Sequence, residues 1–369
     1  MFITDVRRSI LPGAGMAGLL AAAPLHADHI GSSFGVDTAA PLITETAIPL
    51  QQGAWSLSMR IDYVDFDEFS DEELIEARRN DPEADLHSID DLRRISLGLS
   101  YGMTEDLTIG VRLPYVERTN VLEPEEGHFH DGHFSAHDII DHGDISGLGD
   151  AIFYGLYRWY QDEGLTISTL FGVKAPTGED DEEGFESVYH YETKEREPYE
   201  PHHDDEDDGG GHHHAGRQVE THLQPGSDSW DGFAGLALQR PAGPFTLNAS
   251  VLYTITTEGA QDTELGDTFA YNVALSYGTG ERLAPCAGCA WNLFLELNGE
   301  WQDEENTESV DNPDSGGNVV FLTPGVRLVG SGGWSAVIAA GFPVADHLNG
   351  TQVEPDLRVT AGLNLLFGR

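Results

Sequence analysis

Beginning at Trp55, apolar and polar residues alternate with a period of two: Trp55, Leu57, Met59, Ile61 and Tyr63 share one face, and Ser56, Ser58, Arg60 and Asp62 the other. Side chains of an extended strand point alternately to opposite sides, so this pattern predicts a strand with one greasy and one wet face. Eleven further segments repeat it between turn residues, at 94–103, 107–118, 150–160, 165–174, 229–239, 245–255, 268–278, 290–302, 318–329, 334–343 and 356–367. An even number of alternating segments, each about ten residues long, suits strands that cross a bilayer at a tilt. The predicted fold is a single antiparallel, up-and-down transmembrane β-barrel of about twelve strands over 55–367.

The connections support that fold. Short ones (104–106, 161–164, 240–244, 279–289, 330–333) alternate with long ones (67–93, 119–149, 175–228, 256–267, 303–317, 344–355). A membrane barrel has short turns on its inner side and long loops outside, whereas a soluble sandwich has no reason to sort loops by length. Aromatic residues fall at both strand ends, Trp55, Tyr101, Trp159, Trp291 and Trp334 toward the short turns and Tyr63, Tyr115, Tyr253, Phe269 and Trp301 toward the long loops. Two interfacial girdles are the expectation. Pro114 and Pro324 fit less well, since a closed ladder would miss their donors; a bulge near the rim or a strand end beyond the bilayer would accommodate them. The phase of 151–160 stays open, because both faces carry aromatics.

Composition adds the compartment. Arg7 and Arg8, a short apolar run and Leu25-His26-Ala27 read as a secretory signal peptide over 1–27. Residues 28–54 are then a periplasmic or lumenal N-terminal segment, too short for a folded plug domain. The two cysteines, Cys286 and Cys289, cannot close a four-ligand zinc site, and outside the cytoplasm they suit a local disulfide or an idle thiol pair. The net charge of −45 excludes binding to nucleic-acid backbones. It is concentrated in the long loops, which are therefore acidic and extracellular. The final strand, Thr360-Ala361-Gly362-Leu363-Asn364-Leu365-Leu366-Phe367, is similar to the C-terminal strands by which outer-membrane barrels are recognised for assembly, with Gly368 and Arg369 as an added tail. The outer membrane of a Gram-negative bacterium is the expected location, with lipid, lipopolysaccharide and the barrel-assembly machinery as partners.

Several local strings carry a family likeness. Residues 147–158 (GLGDAIFYGLYR), 172–178 (GVKAPTG), 322–327 (LTPGVR) and 341–344 (GFPV) resemble the outer-membrane barrels grouped as MetA-type proteins of phenol degradation. The resemblance implies a putative transporter or channel. The histidine-rich acidic loops are not part of that shared pattern.

Candidate chemistry lies in two places. The inward phase presents Arg60, Asp62, Arg112, Lys174, Glu296, Asn298, Glu300, Arg327 and Arg358, which would either form a selectivity zone or fill the interior with salt bridges. Fourteen of the sixteen histidines fall in the long loops. His128, His130, His133, His137 and His142 crowd one of them, and His202, His203, His212, His213 and His214 another, together with His190 and His222; His87 and His347 lie in two further long loops. Imidazole suits Zn, Cu or Ni and the interleaved carboxylates suit Ca, so these loops either collect divalent metal ions or are solvated low-complexity chain. No cofactor is required. Catalysis is not expected: Asp346-His347 and His142 with Asp144 are the nearest constellations, and neither has a recognisable motif. The leading expectation is an outer-membrane channel for a small solute. The alternatives are a non-conducting barrel that binds metal through its loops, and a structural protein bridged to lipopolysaccharide by Ca²⁺.

Overall fold

A computed structural model describes residues 41–82, 86–125, 128–130, 133–184, 187–198, 218–279 and 285–368; the signal-peptide reading of 1–27 and the start of the following segment lie outside them. Twelve strands form the wall: β1 (Trp55–Asp67), β2 (Asp91–Gly102), β3 (Leu107–Pro124), β4 (Ala151–Gln161), β5 (Thr166–Ala175), β6 (Asp231–Ala242), β7 (Phe245–Ile255), β8 (Thr268–Gly278), β9 (Cys289–Gln302), β10 (Gly317–Gly330), β11 (Trp334–Leu348) and β12 (Glu354–Phe367). Each pairs antiparallel with its neighbours in the chain, and β12 pairs back onto β1, from Trp55↔Phe367 upward. Closure leaves no edge strand, so the backbone groups of the wall are paired strand to strand except where a ladder is interrupted.

The faces sort as the alternation requires. On β1, Leu57, Met59 and Ile61 are exposed while Ser56, Arg60 and Asp62 are buried. Exposed Val273, Leu275, Leu293, Leu295 and Leu297 continue the outer band on β8 and β9. Cross-strand register lines up the girdles: Phe367, Trp55 and Tyr101 form one row, and Tyr253, Phe269 and Trp301 the opposite one. Phe245↔Tyr277 lies eight residues below Tyr253↔Phe269. Eight steps of about 3.3 Å at a tilt near 40° give roughly 20 Å of height, close to the apolar thickness a membrane barrel presents. None of the described helices is long and apolar enough to cross a membrane.

Both prolines fall where a ladder is interrupted, rather than at a bulge. β3 pairs with β4 only from Leu107 to Arg112, then changes partner and from Tyr115 pairs with a strand at Asp138–Leu148. Pro114 occupies the fork, needing no donor there, and its carbonyl accepts from Gly149 N at 3.0 Å. On β10, pairing with β11 skips from Leu322↔Phe342 to Gly325↔Ala339, so Pro324 sits in the gap.

The outer loops are more structured than the sequence suggests. Within 119–149, β3 runs on to Pro124, a hairpin pairs His128–His130 with His133–Ser135, and Asp138–Leu148 is a full strand. Within 175–228, Ser187–His190 and Glu195–Pro198 form a hairpin that extends the same sheet. The connection expected at 344–355 shrinks to 349–353, because β11 and β12 project further. The 67–93 loop contains a helix, α1 (Asp71–Asn80), whose Ser70 and Glu73 form a reciprocal capping box; its Leu74 and Ile75 pack against Ile139. Cys286 and Cys289 form a disulfide in the turn leading into β9.

Candidate functional site

The interior holds a segment of the chain itself. Residues 41–47 and 49–50 are buried, and their backbone is hydrogen-bonded to side chains from successive strands. Glu296, midway along β9 and fully buried, accepts from Leu42 N at 2.6 Å, Ile43 N at 3.1 and 3.2 Å, Thr44 N at 2.7 Å and Thr44 Oγ1 at 2.7 Å. Ser250 on β7 accepts from Glu45 N at 3.1 Å, Ser168 on β5 donates to the Ala47 carbonyl at 2.5 Å, and Thr108 on β3 accepts from Leu50 N at 2.8 Å. The segment thus descends from mid-depth to the short-turn rim before entering β1. An extended chain inside a barrel has no ladder partner, so inward side chains must satisfy its donors; burying them unpaired would cost about 1–3 kcal/mol each.

Around this plug the lumen has two unlike walls. On β1–β3 and β9–β12, Arg60, Arg94, Arg112, Arg327 and Arg358 are buried with Asp62, Glu296 and Glu300, and Glu45 of the plug faces them. Arg60 forks onto Asp62 at 2.7–2.9 Å, and Thr360 Oγ1 donates to Asp62 at 2.7 Å. Asn298 donates to Glu296 at 3.2 Å, and Arg327 donates to the Pro41 carbonyl at 3.2 Å. Buried charges are tolerated when paired and hydrogen-bonded, as Arg60 with Asp62 and Glu296 with the plug are. The opposite wall, on β4–β7, carries an apolar cluster, Tyr154, Leu156 and Leu170 with Ile152, Phe233 and Leu252, beside the buried uncharged Ser168, Asn248 and Ser250. Tyr154 crosses Gly110, where a Cβ would lie 2.4 Å from its ring, to reach Ser100 Oγ at 2.6 Å. This resolves the open phase of 151–160: Tyr154 and Leu156 face inward, and Phe153, Tyr157 and Trp159 face lipid.

Among the described residues, a cavity of about 50 Å³ lies between Leu42, Arg60, Arg112 and Arg327, room for water-sized molecules. At the outer end the mouth is roofed. Val219 and Leu223 turn inward onto Val64, Phe66, Leu92, Val116, Val121 and Ile145. Fully buried Arg118 holds that turn by donating to the carbonyls of His222 (3.1 Å), Leu223 (2.9 Å) and Gln224 (3.2 Å).

Of the inward residues predicted from sequence, eight line the charged wall, from Arg327 opposite Asn292 up to Glu300 beside Trp301, and Lys174 does not. It stands at the outer rim, 2.6 Å from Asp231 and 3.4 Å from Asp150, and donates to Ser227. There it ties down the roof instead of lining a passage. Arg94 and Glu45 join the charged wall although the sequence reading did not single them out; the inward phase of 94–103 carried the signal for the first.

The histidines divide. His202, His203, His212, His213 and His214 lie outside the described residues. The backbones of His128, His130 and His133 belong to the small hairpin, with His130 opposite His133. His137 Nδ1 lies 3.0 Å from Glu192 and 3.2 Å from Arg79. His142 has Nδ1 2.5 Å from the Gly184 carbonyl and Nε2 3.0 Å from Glu123. Burial opposes its charged form, but those bonds outweigh burial and raise its pKa. A bulge at Gly143, with φ +71°, turns His142 inward and leaves Asp144 outside, so those two do not form a pair. His347 Nδ1 contacts the carbonyl of Asp346, not its carboxylate.

A closed wall, a lipid-compatible exterior, aromatic rows at two heights and a polar interior define a membrane-spanning β-barrel. Among solved structures, the chain is similar to the COG4313 outer-membrane channel from Pseudomonas putida F1, with 14% identity, a TM-score of 0.51, and 87% of this chain and 98% of that one covered. A deltaS2S3 mutant of the TodX monoaromatic hydrocarbon channel aligns with 10% identity and a TM-score of 0.45, over 87% of this chain and 91% of that one. No protein-family model and no curated protein sequence matches the chain.

Proposed function

We propose that the protein is an outer-membrane channel for a small amphipathic solute, closed at rest by residues 41–50. The observation that carries this is the two-sided lumen. A charged wall and an aromatic and aliphatic cluster face each other across a segment held by hydrogen bonds rather than by a folded domain. A solute with an apolar body and one polar group would find both surfaces it needs. The local strings that resemble MetA-type barrels of phenol degradation and the likeness to a channel fold support the same reading. In it, the His128, His130 and His133 hairpin and the acidic histidine tract around His212 collect divalent cations at the outer face.

Passage requires the segment to leave, since the resting cavity admits only water. Planar-bilayer recording of the purified barrel, with liposome uptake of a small phenol compared with a sugar, tests the reading. A variant lacking residues 28–50 should conduct steadily, and the full chain intermittently. Absence of conductance and uptake in both would overturn it. A second reading, a non-conducting barrel, draws on the doubly obstructed interior, and that outcome would favour it.

A further inference from the structure

Above the apolar roof, four separate stretches of chain bring two imidazoles and three carboxylates to one point. His87 comes from the β1–β2 loop, Glu123 from the outer end of β3, Glu220 and His222 from the turn that roofs the mouth, and Glu305 from the short strand Glu305–Thr307 after β9. One ligand atom from each of His87, Glu220 and His222 lies within 4.8 Å of the other two. Glu220 Oε2 is 3.6 Å from His87 Nε2 and 3.7 Å from His222 Nδ1; Glu305 Oε2 is 3.5 Å from His222 Nδ1, and Glu123 Oε2 is 3.9 Å from His87 Nε2.

We propose that His87, Glu220 and His222 form a discrete site for one divalent transition-metal ion of the zinc class, with Glu305, 3.5 Å from His222 Nδ1, supporting the trio from outside it. The separations favour coordination over simple ion pairing. An N–H···O bond brings its heavy atoms to about 2.9 Å, as His142 and Glu123 show at 3.0 Å, whereas these contacts are longer. A tetrahedral shell with bonds of about 2.0–2.1 Å needs ligand atoms about 3.4 Å apart, and Glu220 Oε2 stands 3.6 and 3.7 Å from the two imidazole nitrogens. The chemistry agrees, since two imidazoles with carboxylates are a borderline donor set and the carboxylates neutralise the ion.

The site is also held in place before any ion arrives. The His222 carbonyl is anchored by Arg118, Thr221 Oγ1 donates to the Ala260 carbonyl at 2.9 Å, and Gln224 donates to the carbonyls of Val219 and Glu182 at 2.7 and 3.0 Å. The side chains of His87, His222 and Glu305 are each less than one-tenth exposed, while Glu220 is about one-third exposed and offers a way in. Supporting contacts of this kind orient ligands and set affinity. The site uses none of the histidines of the loop tracts and does not depend on conduction: ion-collecting tracts could fail with this site intact, and the reverse.

The test is calorimetric titration of the untagged, chelator-treated full-length barrel with Zn²⁺, and with Co²⁺ as a spectroscopic probe. One ion per chain should bind tightly, ahead of any weaker uptake by the loop tracts, with the visible spectrum of tetrahedral cobalt. His87→Ala and His222→Ala should each weaken it about 100-fold or more, and Glu305→Gln about 10- to 100-fold. Replacing His128, His130 and His133 together by asparagine should leave it unchanged. His222→Ala risks loosening the roof, so His87→Ala, which leaves the 219–224 turn intact, is the decisive variant. Failure of the wild type to take up one stoichiometric ion would overturn the proposal. So would an affinity that survives His87→Ala, or one that disappears with the hairpin histidines.

Discussion

Replacing Glu296 by alanine removes the acceptor for three backbone N–H groups and one hydroxyl of residues 42–44 while leaving the wall intact. Hydrogen bonds to a charged group are worth about 1.5–3 kcal/mol each, and leaving a buried donor unpaired costs about 1–3 kcal/mol. Part of this is offset, because the buried carboxylate no longer has to be desolvated. A net loss of about 3–6 kcal/mol of segment binding is a reasonable outcome for the four donors. At about 1.4 kcal/mol per factor of ten, the displaced form should rise by roughly 100- to 10 000-fold. Glu296→Gln, which keeps the shape and one acceptor oxygen, should fall at the lower end. The assay places a reporter on the plug: Thr46→Cys is nearly isosteric and 2% exposed, and the native cysteines are already bonded to each other. In reconstituted vesicles, a membrane-impermeant maleimide should label this cysteine far faster in the Glu296→Ala background, and single-channel records should show longer open periods. Equal labelling rates and unchanged conductance would mean that Glu296 does not hold the plug.

Three further outcomes test other parts of the structure. Leu295 faces lipid and is 48% exposed beside fully buried Glu296, so Leu295→Arg should destabilise the barrel by about 2–4 kcal/mol in urea titrations in lipid; an effect near zero would reverse the assigned phase of β9. Lys174 sits between Asp150 and Asp231, and Lys174→Met would leave two neighbouring carboxylates without their cation. A broken buried pair costs about 3–5 kcal/mol, so limited proteolysis should reach residues 224–229 in the variant and spare them in the parent. His190 has its pKa raised by the hydrogen bond from its Nδ1 to Asp138 at 2.9 Å, with Glu197 adding to the effect. A raised folded value contributes stability that is complete below the unfolded pKa of about 6.5 and is lost as pH rises through the folded value. Amides of Ser187–His190 and Glu195–Pro198 should therefore exchange more slowly at about pH 5.5 than at about pH 8, after correction for intrinsic rates, and Asp138→Asn should abolish the difference. Protection that grew with pH would refute the assignment.

Strand number, the greasy and wet faces and the girdle rows were legible in the sequence because a membrane barrel writes them locally. Each strand must alternate on its own to separate lipid from lumen, and Trp55 to Tyr63 carries that information without reference to its neighbours. The same rule placed Arg60, Asp62, Glu296 and Arg358 inside. The capping box of Ser70 and Glu73 was equally local, and a closer reading of the 67–93 loop would have found the helix there.

What only the tertiary structure decided is how the interior and the mouth are filled. The contacts of Glu296 with Leu42, Ile43 and Thr44 span more than 250 residues of sequence, and no local pattern announces that a carboxylate on β9 will receive the backbone of the N-terminal segment. Lys174 has the phase of a lumen residue, yet its partners Asp150, Ser227 and Asp231 make it a rim clamp. His87 and His222 are inconspicuous beside the dense tracts at His128–His133 and His212–His214, and only loops folding across the mouth bring them to Glu220 and Glu305. Periodicity is a property of one strand, whereas a satisfied buried charge or a convergent ligand set is a property of several, which closure of the barrel brings together.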